Sequence, residues 1–407
     1  SGYGYGRRTC PSRALRLTPR QRIVPRREMP RLEAEGTNAP LLAALEAEFP
    51  YAAVDTCAVD GLCATACPVS IDTGQLTKRL RKARHSARAR KLALGIARRF
   101  ATVEPLLRTG LRAGHLVQSV LGAGAMAGIT RAMRTVFGKP FPQWSAEMPH
   151  AAKAARPATT KEGASAVYFP ACISRTMGAL PGEPSETSLM EAFVAVAQRA
   201  GTPVFIPEDV EGVCCGVPFS SKGYTEANAF AANRAIERFW AWSDEGRLPV
   251  VVDTSPCTYG VKGSRPNLTP ENQARFDRLT ILDGVAFTHD TLLPRLSAKR
   301  KAGPVALHPV CSLTKMNLGA KLEGIARFCS DDVTVPLTAG CCAFAGDRGF
   351  LHPELTASAT KHEAAEVKAK GCEEHLSSSR TCEIGMTRAT GEVYRSYMFL
   401  IERATRD

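Results

Sequence analysis

The spacing of apolar and polar residues divides the chain into a helical N-terminal half and an alternating C-terminal half. Apolar residues recur with helical spacing in Leu41–Glu48 and Thr73–Arg84, and residues 85–137 predict two or three amphipathic helices. Beyond residue 165, apolar runs such as AVYFPAC and PVVVDTSPC alternate with helical stretches such as Thr225–Trp242. This alternation is typical of a parallel sheet covered by helices, so the predicted fold class is α/β.

The alternating pattern occurs twice, once over residues 165–262 and again over 302–400. In each copy a single cysteine follows the first strand, a Cys-Cys pair follows the second, and a single cysteine follows the third. The first set is Cys172, Cys214, Cys215 and Cys257, and the second set is Cys311, Cys341, Cys342 and Cys382. Because the carboxyl ends of parallel strands share one sheet edge, the four thiols of each set are predicted to converge.

The number of cysteines favours metal or redox chemistry over disulfide bonds. The chain has 14 cysteines, but its start lacks the apolar region of a signal peptide. The longest apolar stretch, Leu116–Ile129, is shorter than the ~18 residues that span a bilayer. We therefore expect a cytoplasmic protein with reduced thiols. Since the chain opens on Ser rather than Met, we also expect that residues precede it.

The stretch CAVDGLCATACP, residues 57–68, is close to the ferredoxin pattern C-x2-C-x2-C-x3-C-P. Asp60 stands where the second cysteine of that pattern belongs. Cys10-Pro11 matches the end of another such run, whose earlier positions hold Gly6 and Tyr3. Two incomplete runs of this kind retain the ligands of one cluster at most.

We predict that this one iron–sulfur cluster binds Cys57, Asp60 and Cys63, together with Cys10 from the first run. Cys67 matches the ligand of a second cluster that has lost its other ligands. A carboxylate is a harder and weaker donor to iron than a thiolate, so the Asp60 corner is expected to be labile. The alternative is that Asp60 only caps a helix that begins near Leu62.

Positive charge is concentrated in the helical part of the chain. The net charge is +14, and residues 78–139 contain 15 Lys or Arg residues and a single acid, Glu104. One interpretation is a solvated face of connecting helices. The other is peripheral docking to an anionic bilayer, at the inner membrane face, or to an acidic flavin partner. Nucleic acid is disfavoured as a partner because no reading motif accompanies the charge.

Several longer motifs resemble known families. YFPACISR, CCGVPFSSKGY and CCAFAGDRGF resemble the paired cysteine-rich CCG domains of heterodisulfide reductase subunits and flavin-linked 2-hydroxyacid oxidoreductases. CPSRALRLTPRQRIV, CAVDGLCATACPVSIDTGQLTKRLR and SSSRTCEIGMTRATG resemble most closely the iron–sulfur half of fused FAD-dependent D-lactate dehydrogenases. The related alternative is the iron–sulfur subunit of glycolate oxidase. The resemblance extends from Cys10 to about Arg403.

The resemblance implies a domain order. Together with the residue pattern, it predicts a degenerate helical ferredoxin-like domain (1–85), a basic helical segment (86–149), a linker (150–165), a first CCG domain (166–290) and a second CCG domain (300–407). The linker is also indicated by HAAKAARPATTKEGAS, which is small, polar and without periodicity.

The resemblance also implies an electron path, in which a flavin oxidises the 2-hydroxy acid and clusters pass electrons to a quinone or cytochrome. No G-x-G-x-x-G follows a strand in this chain, so FAD is expected on a missing domain or a partner subunit. The chain alone should therefore lack the substrate-oxidising site. Two other hypotheses stay open: a thiol–disulfide reductase that resembles heterodisulfide reductase, and a scaffold whose CCG sites hold zinc or nothing.

The cysteine sets depart from the pattern of heterodisulfide reductase, whose noncubane [4Fe-4S] clusters use five cysteines. Gly260 and Gly385 stand where the fifth cysteines belong. Each set thus keeps four ligands, which favours a simpler iron–sulfur cluster, expected to be [4Fe-4S], or zinc at a CCG site. Four residues flank the second set and either shape that site or have structural roles: His308, Asp347, Arg348 and His352.

Overall fold

The structure, a computed structural model, describes residues 4–138, 141–184 and 187–407, without the side chain of Phe137. Its N-terminal part is helical, as the sequence predicts. The helices are α1 (Pro19–Glu35), α2 (Ala39–Phe49), α3 (Leu62–Thr65), α4 (Thr73–Arg84), α5 (Ala87–Arg98) and α6 (Phe100–Phe137). Helix α6 is broken at Gly122, where φ is 83°. The predicted two or three helices over residues 85–137 are therefore confirmed.

The C-terminal part contains two separate sheets of four parallel strands, which confirms the predicted α/β class and its repeat. The first sheet consists of β1 (Ala166–Phe169), β2 (Val204–Phe205), β3 (Val250–Val252) and β4 (Ile281–Asp283). The second consists of β5 (Val305–Leu307), β6 (Val333–Thr334), β7 (Glu374–Ser377) and β8 (Tyr394–Ser396). The strand orders are equivalent, β2-β1-β3-β4 and β6-β5-β7-β8.

Helices connect the strands in both repeats. In the first repeat they are α7 (Cys172–Thr176), α8 (Leu189–Arg199), α9 (Val217–Lys222), α10 (Thr225–Trp242), α11 (Ser255–Lys262), α12 (Pro270–Arg278) and α13 (Gly284–Phe287). In the second they are α14 (Cys311–Lys315), α15 (Gly319–Cys329), α16 (Arg348–Leu351), α17 (Pro353–Lys370), α18 (Arg380–Thr390) and α19 (Tyr397–Thr405). Helices α4 and α10 have the bounds that the sequence predicts.

The outer strands β4 and β8 are additions to the predicted pattern. Each has three residues and pairs in parallel with the preceding strand, as in Val250 with Ile281 and His375 with Tyr394. Both strands end on a polar residue, Asp283 and Ser396, and neither is an apolar run like Val250–Val252, so the sequence pattern did not indicate them. Among the described residues, no helix combines the length and apolar content that a membrane crossing requires.

Candidate metal centres

The first cysteine set is assembled at the carboxyl edge of the first sheet. Cys172 opens α7 directly after β1, and Cys257 lies on α11 after β3. The thiol of Cys215 donates to Cys257 with a sulfur–sulfur distance of 3.0 Å, and Cys172 is hydrogen-bonded to Cys214. The hydrogen bond to Cys214 and burial raise the pKa of the Cys172 thiol. Four sulfur donors therefore lie together, as the repeat predicts.

A buried ion pair holds the loops of this first set. Arg175, on α7, pairs with Glu104 of α6, and both side chains are almost fully buried. The same guanidinium donates to the carbonyl of Val213 at 2.8 Å, and Glu104 accepts from the backbone N–H of Gly212 at 3.3 Å. The one acid of the basic segment thus fixes the chain immediately before Cys214.

The second cysteine set has the same arrangement with one additional member. Cys342 and Cys382 are hydrogen-bonded with a sulfur–sulfur distance of 3.3 Å, and Cys311 is hydrogen-bonded to Cys341. His308 lies beside this set: its ring and the thiols of Cys342 and Cys382 place their ligand atoms within 4.8 Å of one another. The second set is therefore a mixed group of sulfur and nitrogen donors.

Charges around His308 favour a thiolate at Cys342. A hydrogen bond with Cys382 lowers the pKa of the Cys342 thiol, and His308 lowers it further against the effect of burial. Burial disfavours the imidazolium, but the Glu363 carboxylate and Cys342 together raise the pKa of His308. The thiolate is the form of cysteine that binds metals.

The ferredoxin-like residues form a third site. Cys10, Cys57, Asp60 and Cys63 line one small pocket, with Arg22 beside them. Arg22 donates to the sulfur of Cys10 at 3.7 Å and to the carbonyl of Thr56 at 3.3 Å. Burial raises the pKa of the Cys10 thiol to about 11, and the Arg22 guanidinium opposes that rise. The buried cation offsets the negative charge that thiolates would bring into the pocket.

Asp60 both contacts the start of a helix and lines the pocket. Its Oδ1 accepts from the backbone N–H of Leu62 at 2.8 Å, at the start of α3. Burial raises the pKa of the Asp60 carboxyl, which also interacts with Cys341 of the second set. Gly61 holds the N-cap position of α3, so Asp60 is not its capping residue, and the bond to Leu62 accounts for one oxygen of this carboxylate.

The remaining candidate residues lie elsewhere. Cys67 is partly exposed and is not among the residues that line the ferredoxin-like pocket. Asp347, Arg348 and His352 line a wide cleft beside α4 and α5, and Asp347 pairs there with Lys222. Of the four residues that flank the second set in sequence, only His308 joins its thiols. Tyr3 and Lys139, which the motif and charge counts use, lie outside the described residues.

The donor chemistry of these sites fits iron–sulfur clusters or zinc, because buried thiolates are the ligands both favour. Sequence reasoning did not find Arg22, Arg175 or Glu363. Arg22 and Arg175 stand inside the motifs that begin at Cys10 and contain Cys172, but nothing in those motifs marks a buried cation, and Glu363 lies 21 residues after Cys342 outside any motif. The repeat offers one signal for His308: it lies three residues before Cys311, where the first repeat has Phe169 before Cys172.

The fold and these sites define a cysteine-rich, metal-binding class of protein. Residues 166–262 match the family model of the cysteine-rich domain called CCG, a family found in iron–sulfur proteins. No curated protein matches the chain.

Proposed function

We propose that this chain is the iron–sulfur electron-transfer module of a flavin-linked 2-hydroxyacid dehydrogenase, of the D-lactate type. FAD belongs to a separate domain or subunit in this proposal, and a quinone or cytochrome accepts the electrons. Cys10, Cys57, Asp60 and Cys63 would hold one cluster, and the first cysteine set would hold another. Such clusters supply one-electron transfer.

The observation that carries the proposal is a buried side chain that joins the ferredoxin-like pocket to the helix that follows the first Cys-Cys pair. Arg81 donates to the carbonyl of Cys57 at 2.7 Å and to that of Ser221, on α9, at 2.6 Å. Helix α9 follows directly after the Cys214–Cys215 pair. One buried side chain thus ties the backbone of Cys57 to the helix that follows Cys214 and Cys215, which supports a fixed arrangement of the two sites and transfer between them.

The fifth-ligand positions favour electron transfer over direct cleavage of a disulfide. A Cβ atom added at Gly260 would lie 2.1 Å from Cγ2 of Val217, and one at Gly385 would lie 3.3 Å from Phe344. The space that a fifth cysteine would need in the first set is therefore filled by Val217. This packing supports a four-ligand site there.

The test begins with anaerobic purification and measurement of iron and acid-labile sulfide. We expect both, with visible absorption that a photoreduced flavin bleaches and a quinone analogue restores, while D-lactate alone has no effect. Cys214→Ser should lower the iron content, because it removes one of the four sulfur donors and is itself buried. Cys372→Ser is the matched control, since Cys372 belongs to neither set.

Other results would contradict the proposal. Zinc without acid-labile sulfide would exclude a redox role for the chain. Reoxidation by a mixed disulfide, but not by a quinone, would favour the thiol–disulfide reductase.

We also propose that α5 and α6 dock on an anionic membrane surface. Large apolar side chains are exposed here, including Leu106, Leu116 and Val120 at 67–73% exposure. They lie in the segment that carries 15 basic residues and one acid. Apolar side chains among basic residues suit the boundary between headgroups and acyl chains, and the charge suits anionic lipids.

Sedimentation with lipid vesicles tests this docking. The chain should bind vesicles that contain phosphatidylglycerol, and the triple change Leu116→Ser, Val120→Ser and Leu121→Ser should weaken binding roughly tenfold or more, since each exposed apolar group loses its lipid contact. Leu337→Ser is the control, because Leu337 is 98% exposed but lies in the second repeat. Equal binding to neutral vesicles, or an unchanged affinity of the triple variant, would contradict the proposal.

A further inference from the structure

His308 is completely buried and is held by a carboxylate. Its Nδ1 lies 2.6 Å from Oε1 of Glu363, a residue of α17 that is itself 2% exposed. The second oxygen of Glu363 accepts from the backbone N–H of Gly340 at 3.4 Å. Glu363 therefore orients the imidazole and supports the chain next to the Cys341–Cys342 pair.

The other ring nitrogen is available for a ligand. In the part of the chain that the structure describes, Nε2 of His308 is buried and makes no hydrogen bond of standard geometry, and the Cys342 thiol is the group that interacts with the ring on this side. Leaving such an atom unpaired costs free energy unless something binds it. Because Nδ1 is hydrogen-bonded to Glu363, Nε2 is the ring nitrogen that can bind a metal ion. The thiols of Cys342 and Cys382 are the donors grouped with this ring.

A carboxylate that holds one nitrogen of a histidine is the usual support of a metal ligand. It fixes the orientation of the ring and makes the other nitrogen a better donor. Two thiolates and one imidazole are also a frequent ligand combination for zinc, which binds nitrogen and sulfur in a tetrahedral arrangement. Glu363, His308, Cys342 and Cys382 thus show both the ligands and the supporting residue that such a site needs.

The first repeat supplies an internal comparison. Phe169 takes the place of His308, three residues before the first cysteine of its set. Its ring packs at a 4.9 Å centroid distance against Phe239 of α10, and it is fully buried. The first set therefore offers sulfur alone, while the second offers sulfur and nitrogen. The two sites differ in donor chemistry although their backbones repeat.

We infer that the second cysteine set is a zinc site in which His308 Nε2, Cys342 and Cys382 are ligands and Glu363 is the positioning residue. Three protein ligands leave one position for a further donor. This inference goes beyond the proposed electron transfer, because zinc has no redox chemistry. The ion would fix the loop of Cys341 and Ala343, which packs against Ala58 and Leu62 beside the ferredoxin-like pocket.

The experiment measures zinc, iron and sulfide in the full chain after anaerobic purification. We expect about one zinc per chain, with nitrogen and sulfur neighbours in X-ray absorption. His308→Phe copies the first repeat and should lower zinc affinity at least tenfold in competition with a chromogenic chelator. Glu363→Gln keeps the side-chain volume and should lower it about 10- to 100-fold. Iron and sulfide should be unchanged in both variants.

His375→Phe is the matched control, because His375 is another buried histidine of the second sheet and contacts Tyr394 rather than the thiols. It should retain zinc. If His308→Phe unfolds the chain, the zinc affinity of Glu363→Gln and the X-ray absorption spectrum of the wild type still test whether His308 binds the zinc. Wild-type zinc affinity in Glu363→Gln, only sulfur around the zinc, or loss of iron and sulfide in place of zinc would each overturn the inference. None of these results depends on whether the iron transfers electrons.

Discussion

Cys10→Ser should abolish the ferredoxin-type signal in electron paramagnetic resonance of the reduced chain. The pocket that Cys10 shares with Cys57, Asp60 and Cys63 offers only three thiols. Removing one leaves two thiolates and a carboxylate, and serine oxygen is a poor substitute for a thiolate on iron. Arg22 would in addition lose the sulfur to which it donates at 3.7 Å, leaving a buried cation with fewer partners.

Cys67→Ser is the matched comparison, since Cys67 belongs to the same motif but is partly exposed and outside the pocket. Its signal should be nearly that of the wild type. A signal that survives Cys10→Ser, or that disappears with Cys67→Ser, would show that the ligand assignment is wrong. Comparison of the two unfolding curves in urea separates loss of ligand from loss of fold.

The second large effect is expected from Glu104→Gln, which should lower the free energy of unfolding by about 3–5 kcal/mol. The change leaves the guanidinium of Arg175 buried without a counter-charge, because both side chains of this pair are almost fully buried. The loop before Cys214 would also lose its anchor, since Arg175 donates to Val213 and Glu104 accepts from Gly212. We therefore expect lower iron content together with lower stability, measured by urea denaturation.

Asp277→Asn provides the comparison for an exposed pair. Asp277 accepts from Arg265 at 2.7 Å, and both side chains are 49% exposed. Solvent screens such a pair, so its loss should leave the unfolding curve nearly unchanged. If Glu104→Gln were no more destabilising than Asp277→Asn, the buried pair would not be what holds the first cysteine set.

Much of the fold follows from local pattern. Apolar runs followed by cysteines predicted two repeats, and the structure has two parallel sheets of the same strand order. Helices α4 and α10 begin and end where apolar spacing predicts. The strands β4 and β8 were missed because they contain polar residues in place of an apolar run, and their pairing depends on the neighbouring strand.

The candidate sites were predictable only in part. The grouping of each cysteine set follows from strand order, since parallel strands end at a common edge. The pairing of Cys10 with Cys57 and Cys63 was predicted from the spacing of two degenerate motifs. The sequence analysis listed His308 as a neighbour of the second set, without preferring it over Asp347, Arg348 and His352. The structure places those three residues in the cleft beside α4 and α5 instead.

By itself, the sequence determined which thiols exist, how they repeat and that they would meet at sheet edges, because these properties depend on local spacing. Only the tertiary structure decided which charged groups the thiols meet. In the sequence, Glu104 is the single acidic residue of a basic segment, yet the structure buries it against Arg175. Glu363 reads as an ordinary helical acid, yet it holds His308. Burial and long-range contacts give these charges their partners, and neither is written in the neighbouring residues.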